Sequence, residues 1–235
     1  MTANPVPSIL STLRTEQATS PALIWYGEEG ERVELSGRVL DNWVAKTSNF
    51  AIDELDVEPG TIVQLELPVH WKALVWALAA WQTGCILSLS AASGAGVRVT
   101  TAELEPQAPG ELVVAVALPA LAMAWPGSLP PGAVDYTAEV RSFADTYTGP
   151  ELPAGNGDAL VAGPDTEAIP FSALPAPAAG GPQVLLAPAE AGLEKVLGAA
   201  LQTWSTGGTI VLSGAGVQVP ERTLTAERVT ARLEA

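Results

Sequence analysis

The sequence predicts an α/β fold, with mostly parallel sheets and helices between and around them. Three observations predict it. Apolar strand-like runs alternate with helix-length segments, the order that a parallel sheet with crossover helices requires. One of the strand-like runs, "GELVVAVAL", is continuously apolar after its first two residues, as strands are when both faces are covered. A long passage also recurs. "TIVQLELPVHWKALVWALAAWQTGCILSLS" and "PQVLLAPAEAGLEKVLGAALQTWSTGGTIVLS" each read strand, Pro, helix, Trp-x-Thr-Gly, strand.

In chain order, Val6 to Gln17 places Val6, Ile9, Leu10 and Leu13 on one face, a short helix. "ALIWYGEEGERVELS" is a hairpin about Glu28-Glu29-Gly30. Ser36 is an N-cap for a helix to Leu55, whose apolar face is Val39, Leu40, Trp43, Val44, Phe50 and Ala51. "VEPG" closes that helix and "TIVQLEL" is a strand. Pro68 opens "PVHWKALVWALAAWQ", a helix apolar nearly all round and so buried. Gly84 ends it and "CILSLS" is the next strand, which completes a βαβ unit with parallel strands. After a glycine-containing loop come the strand "GELVVAVAL" and the helix "DYTAEVRSFADTY". Residues 148–182 are loose and rich in Pro, Gly and Ala, with "DALVAG" and "EAIPFSAL" as short strands. "PQVLLAP", a helix from Ala189 to Thr203, "TIVLSG" and a helix from Thr225 to the end follow.

The 235 residues suffice for a large core, and 48% of them are hydrophobic. The formal net charge is −15, which argues against nucleic acid and anionic membranes as partners, since both need Lys and Arg. Cys85 is the single cysteine, so no disulfide forms within one chain and a reducing cytoplasmic location is expected. It lies in an apolar run and reads as a buried small hydrophobe. The start of the chain shows no basic-then-apolar signal. Ala73 to Val97 is uncharged and long enough to span a bilayer, but Gln82, Thr83 and Gly84 divide it into helix and strand. In Leu112 to Val134 the prolines 119, 126, 130 and 131 do the same.

Ser205-Thr206-Gly207-Gly208-Thr209 has the composition of a phosphate loop and the wrong position for one. It follows a helix and precedes a strand, so the negative end of the helix dipole would face the anion. No Lys stands beside it. It reads as a helix C-cap. "GAGV" (94–97) and "GNGD" (155–158) lack the third glycine and the helix of a dinucleotide fingerprint. His70 is the only histidine and reads as structural, leaving zinc without a ligand set. No Asp-x-Asp-x-Asp-Gly loop and no Gly-x-Ser-x-Gly elbow occurs. "GEEGE" (27–31) reads as a solvated turn. Trp71, Trp76 and Trp81, five apart on one helix, do not share a stripe, so at least one should approach a surface or a second subdomain.

"LSGRVLDNWVAKTSNFAIDELDVEPGTIVQLELPVHWKALVWALAAWQTGCILSLS" resembles the amino-terminal region of the adenylate-forming, AMP-binding superfamily, which includes acyl-CoA synthetases, luciferases and adenylation domains of peptide synthetases. Asp56 to Val63 stands where that family has Gly-Val-x-Pro-Gly-Asp-x-Val, with Thr61 in place of Asp. "GLEKVLGAALQTWSTGGTIVLSG" resembles the later helix–glycine–strand of the family's second subdomain. The family's two similar sheet subdomains would account for the repeat. Short proteins of this truncated kind, found in high-GC bacteria, are similar as well. The departures bear on function. The family's Ser/Thr/Gly-rich loop ending in Pro-Lys-Gly, which grips the ATP phosphates, would lie before "PQVLLAP". No Lys or Arg occurs between Arg141 and Lys195, and Glu151, Asp158, Asp165 and Glu167 stand there instead. "YTGPE" at Tyr147 imitates the family's Tyr-Gly-x-Thr-Glu poorly and in the wrong place, and the chain has no room for the lid with its catalytic Lys.

The resulting expectation is two mostly parallel sheets with flanking helices, layered αβαβα, in one domain over 1–235 with subdomains 1–107 and 108–235. The expected function is non-catalytic: binding of a partner protein or an apolar small molecule, with homo-oligomerisation. A residual carboxylate-adenylating ligase, its lid supplied by another chain, and a membrane-associated protein are the competing readings. No catalytic, cofactor-binding or metal-binding residue is assigned, and no cofactor is expected.

Overall fold

The computed structural model describes residues 4–91, 94–102, 104–150, 152, 157–163, 166–175 and 180–234. The chain divides into two compact units. One comprises Met1–Asn4, Trp43–Leu67 and Val75–Ser172; the other comprises Pro5–Asn42, Pro68–Leu74 and Ala173–Ala235.

In the first unit, β3 (Ile62–Glu66), β4 (Ile86–Ser88), β5 (Val97–Thr100), β6 (Leu112–Ala115), β7 (Ala133–Asp135), β8 (Asp158–Val161) and β9 (Ile169–Pro170) form a sheet in the order β7-β6-β5-β3-β4-β8-β9. Every pairing is parallel except β8–β9. Val63, Leu65, Leu87, Val97, Val99, Val113, Val114 and Leu160 are buried, as in parallel strands with both faces covered. Phe50 meets Trp76, Tyr136 and Phe143 edge to face at 6.0, 5.6 and 5.4 Å, an aromatic cluster within this unit.

In the second unit, β1 (Pro21–Tyr26), β2 (Arg32–Ser36), β10 (Val184–Pro188), β11 (Thr209–Ser213) and β12 (Ala231–Arg232) form a sheet in the order β12-β10-β11-β1-β2. The pairings β12–β10, β10–β11 and β11–β1 are parallel, and β1–β2 is the antiparallel hairpin. Helices α1 (Val6–Thr15) and α5 (Leu193–Ser205) pack together in this unit. The α/β class with two mostly parallel sheets is as the sequence predicts.

The repeated passage is a repeated structure. β3–α3–β4, with α3 at Trp71–Gln82, and β10–α5–β11 are both parallel βαβ units. Each helix ends in the same hydrogen-bonded cap. The Gly84 and Gly207 amides donate to the carbonyls of Trp81 and Trp204, and the Cys85 and Gly208 amides donate to Ala80 and Thr203. Gly84 and Gly207 have φ of +78° and +74°, the left-handed conformation this cap demands. Thr83 and Thr206 each donate a hydroxyl back to carbonyls of the last turn. The two tryptophans extend the equivalence: Trp81 Nε1 donates to Ala159 O on β8 and Trp204 Nε1 to Ala22 O on β1, both at 2.8 Å. In each sheet that acceptor strand is the next one beyond the strand that follows the helix.

The structure corrects several readings. α2 runs Gly37–Leu55 with Ser36 Oγ accepting from Val39 N, yet Val39 is 42% exposed, outside the buried face of Leu40, Val44, Phe50 and Ala51. α3 begins at Trp71, three residues after Pro68, because His70 is its cap: its Nδ1 accepts from Lys72 N at 3.1 Å and its carbonyl from Ala73 N at 2.9 Å. Trp71, Trp76 and Trp81 are all buried, so of the two places the spacing allows, a surface or a second subdomain, the surface is excluded, while Trp71 belongs to the second unit. β5 and β7 are strands that the apolar pattern does not mark. β5 carries Arg98 in a run of four, and its guanidinium is fully buried because Glu66 (3.2 Å), Glu111 (3.3 Å) and the Glu105 carbonyl surround it. "DYTAEVRSFADTY" gives only a turn of helix, α4 (Tyr136–Glu139), and a 3₁₀ turn at Val140–Ser142. The helix from Ala189 is a 3₁₀ turn, then Gly192 at φ +84°, then α5. The last helix, α6, is Glu221–Ala226; Arg228 at φ +58° ends the helical path and β12 follows. Among the described residues, no helix is long and apolar enough to cross a membrane.

Candidate functional site

Ligands of parallel sheets bind beyond the carboxyl ends of the strands, where loops and free backbone groups converge. In the second unit the register pairs Tyr26 of β1 with Ser213 of β11, so the two strands end level. The segments that follow, 27–30 and 215–220, form the walls of an open cleft of about 600 Å³. Tyr26, Gly27, Glu28, Glu29, Gly30, Val217, Val219 and Pro220 are among its lining.

Each wall is held by hydrogen bonds of its own. Gly27 N donates to Glu31 O and Glu31 N to Glu28 O, closing the hairpin turn. Gly214 N donates to Tyr26 O at 2.9 Å, and Gly216 N to Glu190 Oε1 at 2.9 Å. The Gly216 amide, and then Glu190's own amide, hold the Glu190 carboxyl below its usual range. Trp25 Nε1 donates to Glu31 Oε2 at 2.8 Å, which anchors the turn from beneath. Glu28 and Glu29 are exposed, and among the described residues neither has an ion-pair partner. The cation on the adjoining strand is committed elsewhere. Arg32 Nη2 meets Glu34 at 2.6 Å and Glu227 at 2.9 Å, and its Nε donates to the Tyr26 hydroxyl. That hydroxyl also donates to Glu227. Burial first, and then the Glu227 hydrogen bond, raises the Tyr26 pKa, so the phenol stays protonated. Arg222, on α6, lies two residues past the lining.

Other residues singled out from the sequence lie elsewhere. Ser205 to Thr209 caps α5, and Gln17 Nε2 donates to the carbonyls of Gly207 and Gly208, so the glycines face protein rather than an anion. His70 is 3% exposed, stacked edge-on to Trp25 at 4.5 Å, and burial followed by the Lys72 charge lowers its pKa to about 3. Cys85 is fully buried and its thiol is pushed up to about 11 by burial, an inert state. Among the described residues no group of three or more His, Cys, Asp or Glu could hold a metal ion. In "YTGPE", Tyr147 Oη donates to Pro150 O and Thr148 N to Asn49 Oδ1, a local turn. Of the acidic residues that stand where the family's phosphate grip would lie, Asp158 opens β8 and is exposed, and Glu167 is exposed between β8 and β9; Glu151 and Asp165 lie outside the described residues, as do Gly155 and Asn156 of "GNGD". Arg141, the last cation before that stretch, donates to Thr137 O at 2.8 Å and Ala122 O at 3.0 Å. Lys195, the first after it, sits on the exposed side of α5.

Sequence reasoning missed the cleft because its walls lie far apart in the chain. "GEEGE" (27–31) reads as a solvated turn and "TIVLSG" as a strand, with nothing in either to join them. The shared signal is an apolar strand ending in glycine before each wall.

No family model matches the chain. A protein of Mycobacterium tuberculosis (strain ATCC 25618 / H37Rv) described as a TIGR03089 family protein is 31% identical over 172 residues, covering 69% of this chain and 68% of that one. Among solved structures, the Brucella canis acyl-CoA synthetase matches 99% of this chain with a TM-score of 0.73 at 18% identity. Acetoacetyl-CoA synthetase from Streptomyces lividans matches 93% at 0.68 and 18% identity. The Klebsiella oxytoca NpsA N-terminal subdomain matches 99% at 0.67 and 13% identity. The chain spans 47%, 40% and 61% of these proteins, roughly half their length. The fold is that of the amino-terminal part of acyl-CoA synthetases and adenylation domains, as the resemblance implied.

Proposed function

The chain belongs to the TIGR03089 family, and on that premise we propose that it keeps the acyl-CoA-synthetase-like framework without the adenylating chemistry and acts by binding a partner protein or an apolar small molecule. The observation that carries this is the absence of Lys and Arg between Arg141 and Lys195, the stretch where the resemblance places the phosphate grip. Phosphoryl-type chemistry depends on cations that neutralise charge on the phosphates. Arg141 is already engaged by two carbonyls, and a net charge of −15 opposes a triphosphate further. A reducing cytoplasm, the setting the single buried cysteine suits, completes the proposal.

The test is pyrophosphate exchange with ATP–Mg²⁺ across a panel of carboxylic acids, together with thermal shift against ATP–Mg²⁺, AMP, CoA and acyl chains. No exchange and no nucleotide shift is expected. Clear exchange overturns the proposal in favour of a residual ligase. Homo-oligomerisation is part of the same proposal, and a monomer by light scattering removes it.

A further inference from the structure

We propose that β2 is the docking edge for a second copy of this chain: two β2 strands pair antiparallel about a two-fold axis at Val33 and join two five-stranded sheets into one. The inference rests on the homo-oligomerisation in the reading above and names its surface. β2 is an end strand of the second unit's sheet and is paired with β1 on one side only. The other sheet edges are blunted. β12 and β9 are two residues long, β9 ends in Pro170, which has no amide to offer, and β7 has three residues. β2 has five residues, of which Arg32 and Glu34 are exposed. The ladder fixes which backbone groups face out. Gly27 N donates to Glu31 O, and Tyr26 O accepts from Gly214 N on the other side of β1. Antiparallel pairs alternate, so Tyr26–Arg32 is a non-bonded pair and Trp25–Val33 a bonded one. The amides and carbonyls of Arg32 and Glu34 therefore point to the open edge.

Charges on an edge strand ordinarily repel a second strand. Arg-Val-Glu does not repel itself, because it is self-complementary in one register. Opposite residues of an antiparallel pair share a face, so a two-fold pairing of β2 with itself centres on one residue. Centred on Arg32 or on Glu34, it sets like charges against each other. Centred on Leu35 or Ser36, it runs into α2, which begins at Gly37. Centred on Val33, it sets Arg32 opposite Glu34 of the second copy and Glu34 opposite the second copy's Arg32, and the outward backbone groups of both pairs are hydrogen-bonded. The side chains have bonding capacity left for this. Glu34 meets Arg32 through Oε2, and Arg32 bonds through Nε and Nη2, so among the described residues Glu34 Oε1 and Arg32 Nη1 carry no bond.

The experiment is sedimentation equilibrium of the full chain at about 0.15 M salt, which screens the repulsion between two bodies of charge −15 and leaves contact pairs in place. A dimer that dissociates at about 10–100 μM is expected from so short an interface. Glu34→Arg sets arginine against arginine and is expected to weaken association about tenfold or more. Arg32→Glu is expected to fail alone for the same reason, and an equimolar mixture of the two variants is expected to pair again, since each strand then carries one sign of charge. Arg32→Glu also loses the bonds to Glu227 and Tyr26, so its fold is checked by circular dichroism, and cross-linking decides independently of it. Val33→Cys is expected to give a disulfide-linked dimer under mild oxidation, because the axis places this position opposite itself with Cα atoms about 4.5 Å apart, and Glu34→Cys is expected to give none. The native Cys85 is fully buried and takes no part. A wild-type dimer that Glu34→Arg leaves intact, or cross-linking through Glu34→Cys and not through Val33→Cys, would overturn this interface and leave homo-oligomerisation standing. A monomer up to about 1 mM would overturn both. Pyrophosphate exchange bears on the non-catalytic reading alone.

Discussion

His70 makes the stability of this protein depend on pH in a predictable direction. The imidazole is 3% exposed, caps α3 through Nδ1, and packs edge-on against Trp25 at 4.5 Å. Burial, and then the charge of Lys72, lowers its pKa from 6.5 to about 3. Above pH 6.5 it is neutral in both folded and unfolded chains and contributes no pH dependence. Below 6.5 the unfolded chain takes up a proton that the folded chain refuses until about pH 3, so stability falls with pH through that window. Each pH unit is worth about 1.4 kcal/mol, so at pH 5.0, still above the pI of about 4.3, the loss is about 2 kcal/mol. Other carboxylates titrate nearby, so the reading must be differential. His70→Asn keeps an oxygen acceptor for the Lys72 amide and removes the titration. At pH 7.5 the variant should be less stable by about 1–2 kcal/mol, from the lost stack on Trp25. By pH 5.0 that gap should shrink by about 2 kcal/mol and close or reverse, measured by urea unfolding of both proteins in the same buffers. A gap constant to within about 0.5 kcal/mol across the range would mean that His70 is protonated in the folded state, and the reasoning would fail.

Two further predictions test the packing. Arg98→Met removes the cation between Glu66 and the buried Glu111, leaving a carboxylate that is 4% exposed without its ion partner. A loss of about 3–5 kcal/mol by urea unfolding is expected, partly recovered by adding Glu111→Gln, and a loss under about 1 kcal/mol would refute the account. In the α5 cap the two glycines are required for different reasons. Gly207 has φ +74° and open space around its Cβ position, so Gly207→Asn should lose under about 1 kcal/mol. A Cβ on Gly208 would stand 2.4 Å from the Gln183 carbonyl, so Gly208→Ala should lose over about 2 kcal/mol; equal losses would contradict the cap geometry.

Much of the architecture was legible in the residues because it depends on local rules. Apolar periodicity marked α1, the β1–β2 hairpin, β3, β6, β10 and β11, and glycine after Trp-x-Thr marked two helix ends, since only a residue without Cβ takes the left-handed turn without a clash. The repeat was visible for the same reason, although its two tryptophan N–H bonds to Ala159 and Ala22 were not. β5 escaped notice because Arg98 interrupts a four-residue run, and an arginine is acceptable in a sheet interior only when distant carboxylates surround it. The helix expected at the end of the chain gave way to α6 and β12 because β10 offered a free edge, which no local propensity records.

The sequence by itself therefore determined the fold class, the duplicated strand–helix–strand units and the missing cations before β10, because composition and spacing act within a few residues of themselves. Only the tertiary structure decided that the turn at Glu28–Glu29 and the segment 215–220 share one cleft. That depends on the parallel register of β1 on β11, a pairing between distant parts of the chain that burial of both strands enforces and no local pattern encodes.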